Sequence, residues 1–171
     1  MLRILSKTAA AVTLLFALSA CYVTQTSVLP ASQATEVPGL EGTWTAVDGS
    51  AEDTITVARA ASGNEYTLSA PQEDQTLTLR GMQLVDDVYL IEISDPNAPS
   101  EGAILAFVQV QGDSLSVLTP TGNPEQLAGQ AGVQLGDDGV EVSGEPAAVL
   151  QFVQLHADAA FNPQPMLTRV D

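Results

Sequence analysis

The sequence predicts an α+β domain, mainly antiparallel β, with a short inserted helix and a C-terminal helix followed by a short strand. Three observations predict it. From Trp44 onward, apolar residues alternate with polar ones in short runs. Clusters of Gly, Asn and Asp cut those runs at hairpin spacing. Only two later stretches break the alternation, and both open on helix-start signals.

The chain begins with the three parts of an export signal. Arg3 and Lys7 form a short positive region, Ala9 to Leu18 form an apolar run, and the small residues Ser19 and Ala20 precede Cys21. An apolar run of about ten residues falls well short of the roughly 20 needed to span a membrane. Residues 1–20 therefore read as a removable leader. Residues 21–39, rich in Thr, Ser, Gln, Ala and Pro without period, read as a flexible tether. Residues 40–171 read as a single domain, enough chain for one core.

The first strand lies within Gly42 to Val47, around Trp44. Ile55 and Val57 share one face of a second, with Thr54 and Thr56 on the other. After the turn Ser62-Gly63-Asn64, Tyr66 and Leu68 mark a third. Leu77 and Leu79 mark a fourth, continuing past Gly81 through Met82 and Leu84. Asp86-Asp87 turns the chain into Val88–Ile93, and a loop follows from Asp95 to Gly102. Ala103–Val110 is apolar on both faces, as a covered central strand requires. Gln111-Gly112-Asp113 turns it into Leu115–Leu118. Around Asp137-Asp138-Gly139, Val133 and Leu135 form a hairpin with Val140 and Val142.

Asn123-Pro124-Glu125-Gln126 supplies an N-cap, a first-turn proline and a capping partner three residues on, so a short helix opens there and ends near Gly129 or Gly132. A second helix runs from Pro146 to about Phe161. Val149, Leu150, Phe152, Val153, Ala157, Ala160 and Phe161 fall on one face of it, with Gln151, Gln154 and Asp158 opposite. Met166 to Val170 reads as a closing strand.

Leu18-Ser19-Ala20-Cys21 resembles the lipobox of bacterial lipoproteins. The resemblance implies cleavage after Ala20, a diacylglyceryl group on the Cys21 sulfur and an acylated new amino terminus. Several chains are needed, because one gives only marginal membrane binding. Tyr22 stands where an inner-membrane retention signal would show Asp, so the resemblance places the anchor in the outer membrane with the domain facing the periplasm.

Gly42-Thr43-Trp44 resembles the G-x-W motif of lipocalins. In that family the Trp plugs one end of an eight-stranded barrel and a basic residue near the chain end stacks across it, which implies a lipocalin-like β-barrel closed by Trp44 and Arg169. The family's Thr-Asp-Tyr-like turn is not found here. Periodicity alone leaves a closed barrel and an open sandwich as alternatives. Val149-Leu150-Gln151-Phe152-Val153, with His156 and Phe161, is similar to the end of a group of bacterial lipoproteins with no assigned activity.

After removal of residues 1–20, Arg59, Arg80 and Arg169 stand against all 21 acidic residues, a side-chain charge of −18 with no lysine. Such a surface repels phosphate backbones and anionic headgroups, which excludes nucleic acid and polybasic membrane contact. Divalent cations or a basic partner remain compatible, and solubility alone accounts for the charge as well.

Gly112-Asp113-Ser114-Leu115 spells the nucleophile motif of GDSL esterases, but it sits in a tight turn between strands. His156, the only histidine, has Val153 rather than Asp three positions before it. A serine without a base is a weak nucleophile. One histidine and one cysteine cannot build a standard zinc site. Asp86-Asp87 and Asp137-Asp138 lack the spacing of a calcium loop and read as turns. No metal and no cofactor is implied.

The function expected is non-enzymatic: a lipid-anchored protein binding a small apolar ligand or serving in envelope maintenance. Candidates to line a ligand site are Tyr66, Leu79, Leu105, Phe107 and His156. Ligand binding requires a hollow barrel with these side chains facing inward. The alternative is an interaction module that recruits a protein partner to the membrane, which requires an exposed apolar patch. A remote alternative, a hydrolase using His156, requires that residue in a cleft.

Overall fold

The computed structural model describes residues 21–47, 54–61, 63–71, 75–158 and 160–170. Eight antiparallel strands close into a barrel: β2 (Gly42–Ala46), β3 (Thr54–Arg59), β4 (Glu65–Ser69), β5 (Leu77–Val85), β6 (Val88–Ser94), β7 (Ala103–Gln111), β8 (Ser114–Pro120) and β11 (Phe161–Val170). Neighbours in sequence pair from β2 to β8. β11 pairs with β8 on one edge and β2 on the other, and so completes the ring. The fold is thus the lipocalin-like α+β barrel that the alternation and the G-x-W resemblance imply.

The strand β1 (Cys21–Thr24), absent from the sequence expectation, lies outside the ring. β7 and β8 part after the Val108–Val117 pair, and β1 takes the vacated edge of β7, with Cys21 opposite Ala106 and Thr24 opposite Ala103. The hairpin of β9 (Gln134–Leu135) and β10 (Glu141–Ser143) extends this flank, with β10 parallel to β1.

The helices α1 (Pro124–Ala131) and α2 (Pro146–Leu155) cover the same flank. Asn123 Oδ1 accepts from the Glu125 and Gln126 amides, Pro124 occupies the first turn, and Gly132 closes α1 in the left-handed conformation. α2 is shorter than its apolar period suggests. It ends at Leu155, and Phe161 belongs to β11. One 3₁₀ turn, His156–Asp158, ends the helical run, and farther on Pro163 and Pro165 bar a helix but fit a strand edge.

β11 is accordingly longer than expected. Its first half pairs only with β8, because β2 reaches no further than Leu167. Asn162, Pro163, Gln164 and Pro165 are all exposed on this projecting ribbon. Proline removes a donor from such an open edge and so discourages strand addition.

Two cores result. Trp44, Ile55, Val57, Leu68, Ile91, Val117 and Leu167 fill the barrel. Met82, Leu90, Leu105 and Phe107, on the outer face, meet Ala128, Val149, Phe152 and Val153 of the helices. Burial of each such large side chain contributes about 1.5–3 kcal/mol.

The tether reading of residues 21–39 is corrected. Tyr22, Val28, Leu29 and Val37 are buried, and the segment crosses the barrel as a strap. Composition gave no period because its order comes from distant partners. Glu92, wholly buried on β6, accepts from the Val28 amide at 2.6 Å, the Leu29 amide at 2.9 Å and the Ser27 hydroxyl at 2.6 Å. Arg80 lies 3.7 Å from the same carboxylate and donates to the Leu29 carbonyl at 3.2 Å.

Candidate functional site

Trp44 is fully buried at one end of the barrel and donates from Nε1 to the Leu40 carbonyl at 3.0 Å. Arg169, its register partner on β11, holds its guanidinium carbon 4.5 Å from the ring centroid. Arg169 also donates to the carbonyls of Glu41 and Gly39, at 2.5 and 2.6 Å. Gly42 makes this possible: a Cβ there would run into the Arg169 guanidinium. Both the glycine and the tryptophan of the motif are thus explained by one closure.

Tyr66 and Leu79 face the barrel interior. The Tyr66 hydroxyl accepts from the Val37 amide at 2.9 Å and is committed to holding the strap. Among the described residues, the interior holds an apolar cavity of about 30 Å³, bounded by residues including Trp44, Leu79, Ala106 and Leu115. A single water needs about 10–15 Å³ on this measure. The described residues thus fill this part of the barrel to within a molecule or two of water.

Leu105 and Phe107 do not join them. Both point outward into the second core, while Ile104, Ala106 and Val108 point in. A strand apolar on both faces carries no signal for which face is which, and here the helices cover the outer one. The five ligand-lining candidates are therefore split between two cores.

His156 lies at the end of α2 in that second core, with no exposed surface. Tyr22, Phe107 and Phe152 surround it, with ring centroids 5.6, 5.5 and 4.8 Å away. Its Nε2 lies 3.1 Å from the Tyr22 hydroxyl, and Nδ1 has no partner among the described residues. Burial pushes the imidazole down to about 4 and the Tyr22 phenol up to about 12. This is a neutral pair held for packing.

Ser114 starts β8 at an exposed turn, and the described contacts do not bring it together with His156. Asp138 is a turn residue: its Oδ1 accepts from the Val140 and Glu141 amides. Among the described residues, no cluster of three His, Cys, Asp or Glu side chains is placed to hold a metal.

Cys21 sits where β7 and β8 part. Its side chain belongs to the interior cluster, and burial raises the thiol to about 11, so the thiolate is disfavoured. Beside it a cavity of about 120 Å³ is bounded by Tyr22, Thr119, Pro120, Gly122, Pro124 and Gly139. A wider groove of about 720 Å³ runs between α1 and the β9–β10 turn, with Ala128, Val133 and Leu135 on its floor and Glu125, Asp137 and Asp138 at its rim.

Comparison with family models, curated proteins and solved structures finds no match for the chain. Tyr22 and Glu92 escaped sequence reasoning. A signal existed for Glu92, since a lone acid between Ile91 and Ile93 in an apolar strand demands a partner. Tyr22 offered none, standing in a segment without period.

Proposed function

We propose that the protein is a lipid-anchored envelope protein, acylated at Cys21 in the outer membrane and facing the periplasm, that acts through its surface rather than through the barrel interior. The observation that carries the second half is the filled barrel: a cavity of about 30 Å³ holds no acyl chain or aromatic ligand. The lipobox supports the first half. Acylation requires Cys21 to turn out of the seam and give up its pair with Ala106, and the adjoining cavity of about 120 Å³ offers the way out.

The reading is non-catalytic. His156 has no path to solvent, and the Tyr22 hydroxyl already occupies Nε2. Recruitment of a protein partner is favoured by the groove between α1 and the β9–β10 turn, whose apolar floor and acidic rim suit a basic segment. Exposed large apolar residues elsewhere, Val47, Val85 and Val170, are scattered.

The test is to release the protein from its own membranes in mild detergent and weigh it intact by native mass spectrometry. A co-purifying protein, lost on Ala128→Arg in the groove floor, supports action through the surface. A bound small apolar molecule retained by the Ala128→Arg variant would overturn it.

A further inference from the structure

We infer that the projecting β8–β11 ribbon, with the loop that follows it, is the face this domain rests on the lipid surface. The inference rests on the Cys21 anchor proposed above. With β1 packed at the seam, little free chain separates an anchor at Cys21 from the folded domain. Whatever surrounds the seam must therefore lie at the headgroups.

The surroundings are distinctive in charge. Thr119, Pro120, Gly122 and Pro124, with Gly139 of the β9–β10 turn facing them, border the seam cavity beside Cys21. The sequence carries no charge from Ser114 to Pro124, nor from Ala159 to Thr168, although the mature chain holds 21 acids. These two stretches are the ones that pair as β8 and β11. Thr121 ties the loop to the ribbon, its amide and hydroxyl both donating to the Ala160 carbonyl, at 2.9 and 2.8 Å.

A strongly acidic domain held against anionic headgroups is repelled wherever carboxylates lie within a Debye length, about 10 Å at 0.1 M salt. Only an uncharged face can sit there without that repulsion. Asn162 and Gln164 on the ribbon, and Thr121 and Asn123 on the loop, are exposed, polar and neutral. Past Pro124 and Gly139, which line both the seam cavity and the groove, the charge returns: Glu125, Asp137 and Asp138 rim the groove. The domain therefore leans toward its ribbon and lifts the groove into the periplasm, where a partner can reach it.

The test places a fluorophore on single cysteines introduced by Gln164→Cys and Thr121→Cys, with Gln111→Cys at the far end of β7 as control. The acylated protein is reconstituted into vesicles of mixed zwitterionic and anionic lipid. The expected result is quenching by an aqueous quencher at least threefold slower at positions 164 and 121 than at 111. Asn162→Asp with the Gln164 label replaced by one at Thr121 should restore quenching in anionic vesicles only. Equal quenching at all three sites on protein whose mass shows acylated Cys21 overturns the face and leaves the anchor standing. A mass showing Cys21 unmodified overturns the anchor and the face together.

Discussion

The Tyr22 hydroxyl lies 3.1 Å from Nε2 of His156, joining the first described strand to the end of the last helix across 134 residues of sequence. Neither group reaches water. The bond fastens β1 to the helical flank from the side opposite the barrel interior.

This pair gives the fold a dependence on pH. The folded-state value of His156 is about 4, below its ordinary 6.5. Between those values only the unfolded chain takes up the proton. The stability is therefore whole above pH 6.5 and declines as pH falls toward 4, by about 3 kcal/mol in all. Urea midpoints measured from pH 7 to pH 4 should fall accordingly, and His156→Phe should flatten that part of the curve. Tyr22 acts at the alkaline end: its raised value of about 12 means that stability is lost as pH rises above about 10.

Glu92 should be the most sensitive polar residue in the domain. Removing its carboxylate strands the Val28 and Leu29 amides, while Arg80 keeps its ion pair with Glu65 at 2.6 Å. Glu92→Ala should cost about 3–5 kcal/mol, chiefly for the two buried amides left unpaired. Hydrogen exchange should show protection lost first at Val28 and Leu29, with β3 and β4 still protected.

Much of the barrel was legible because its physics is local. Ile55 and Val57 alternate with threonines, Asn123 and Pro124 start a helix as such residues do anywhere, and Gly42-Thr43-Trp44 pointed to Arg169 at the other end of the chain. What was not legible depends on distant contacts. Residues 21–39 have no period, and they are ordered by Glu92 and Tyr66, which stand far along the chain. Leu105 and Phe107 have apolar neighbours on both faces, so only the position of the helices decides which way they point. Pro163 and Pro165 read as breakers, yet they are tolerated because β11 has an open edge where β2 stops.

The closure at Trp44 gives a graded series. Arg169→Ala removes the ring stack and the bonds to Gly39 and Glu41, and should cost about 1–2 kcal/mol. Trp44→Ala should cost about 3–5 kcal/mol. Gly42→Ala should cost more than Arg169→Ala, because the new methyl displaces the guanidinium and alanine is also strained at the Gly42 φ of +143°. A double variant, Gly42→Ala with Arg169→Ala, should then be less damaging than the two costs added, because the clash with the guanidinium is gone while the backbone strain stays. Thermal unfolding of the four proteins checks the series.

The filled barrel predicts poor ligand binding that can be engineered into being. Trp44, the only tryptophan, should show fluorescence unmoved by added fatty acid or benzene. Leu79→Ala enlarges the existing cavity and should cost about 2–5 kcal/mol. An apolar cavity of that kind takes up benzene. Titration of the variant with benzene should raise its melting temperature and leave that of the wild type unchanged.

The most direct test of the anchored reading is the mass of one peptide. From Cys21 onward the sequence has no lysine and Arg59 is the first arginine, so trypsin releases from a protein processed at Cys21 a single amino-terminal peptide running from Cys21 to Arg59. Taken from the protein's own cells, that peptide should begin at Cys21 and carry a diacylglyceryl group with an amide-linked acyl chain. A peptide of unmodified mass, or one that retains residues before Cys21, would contradict the account.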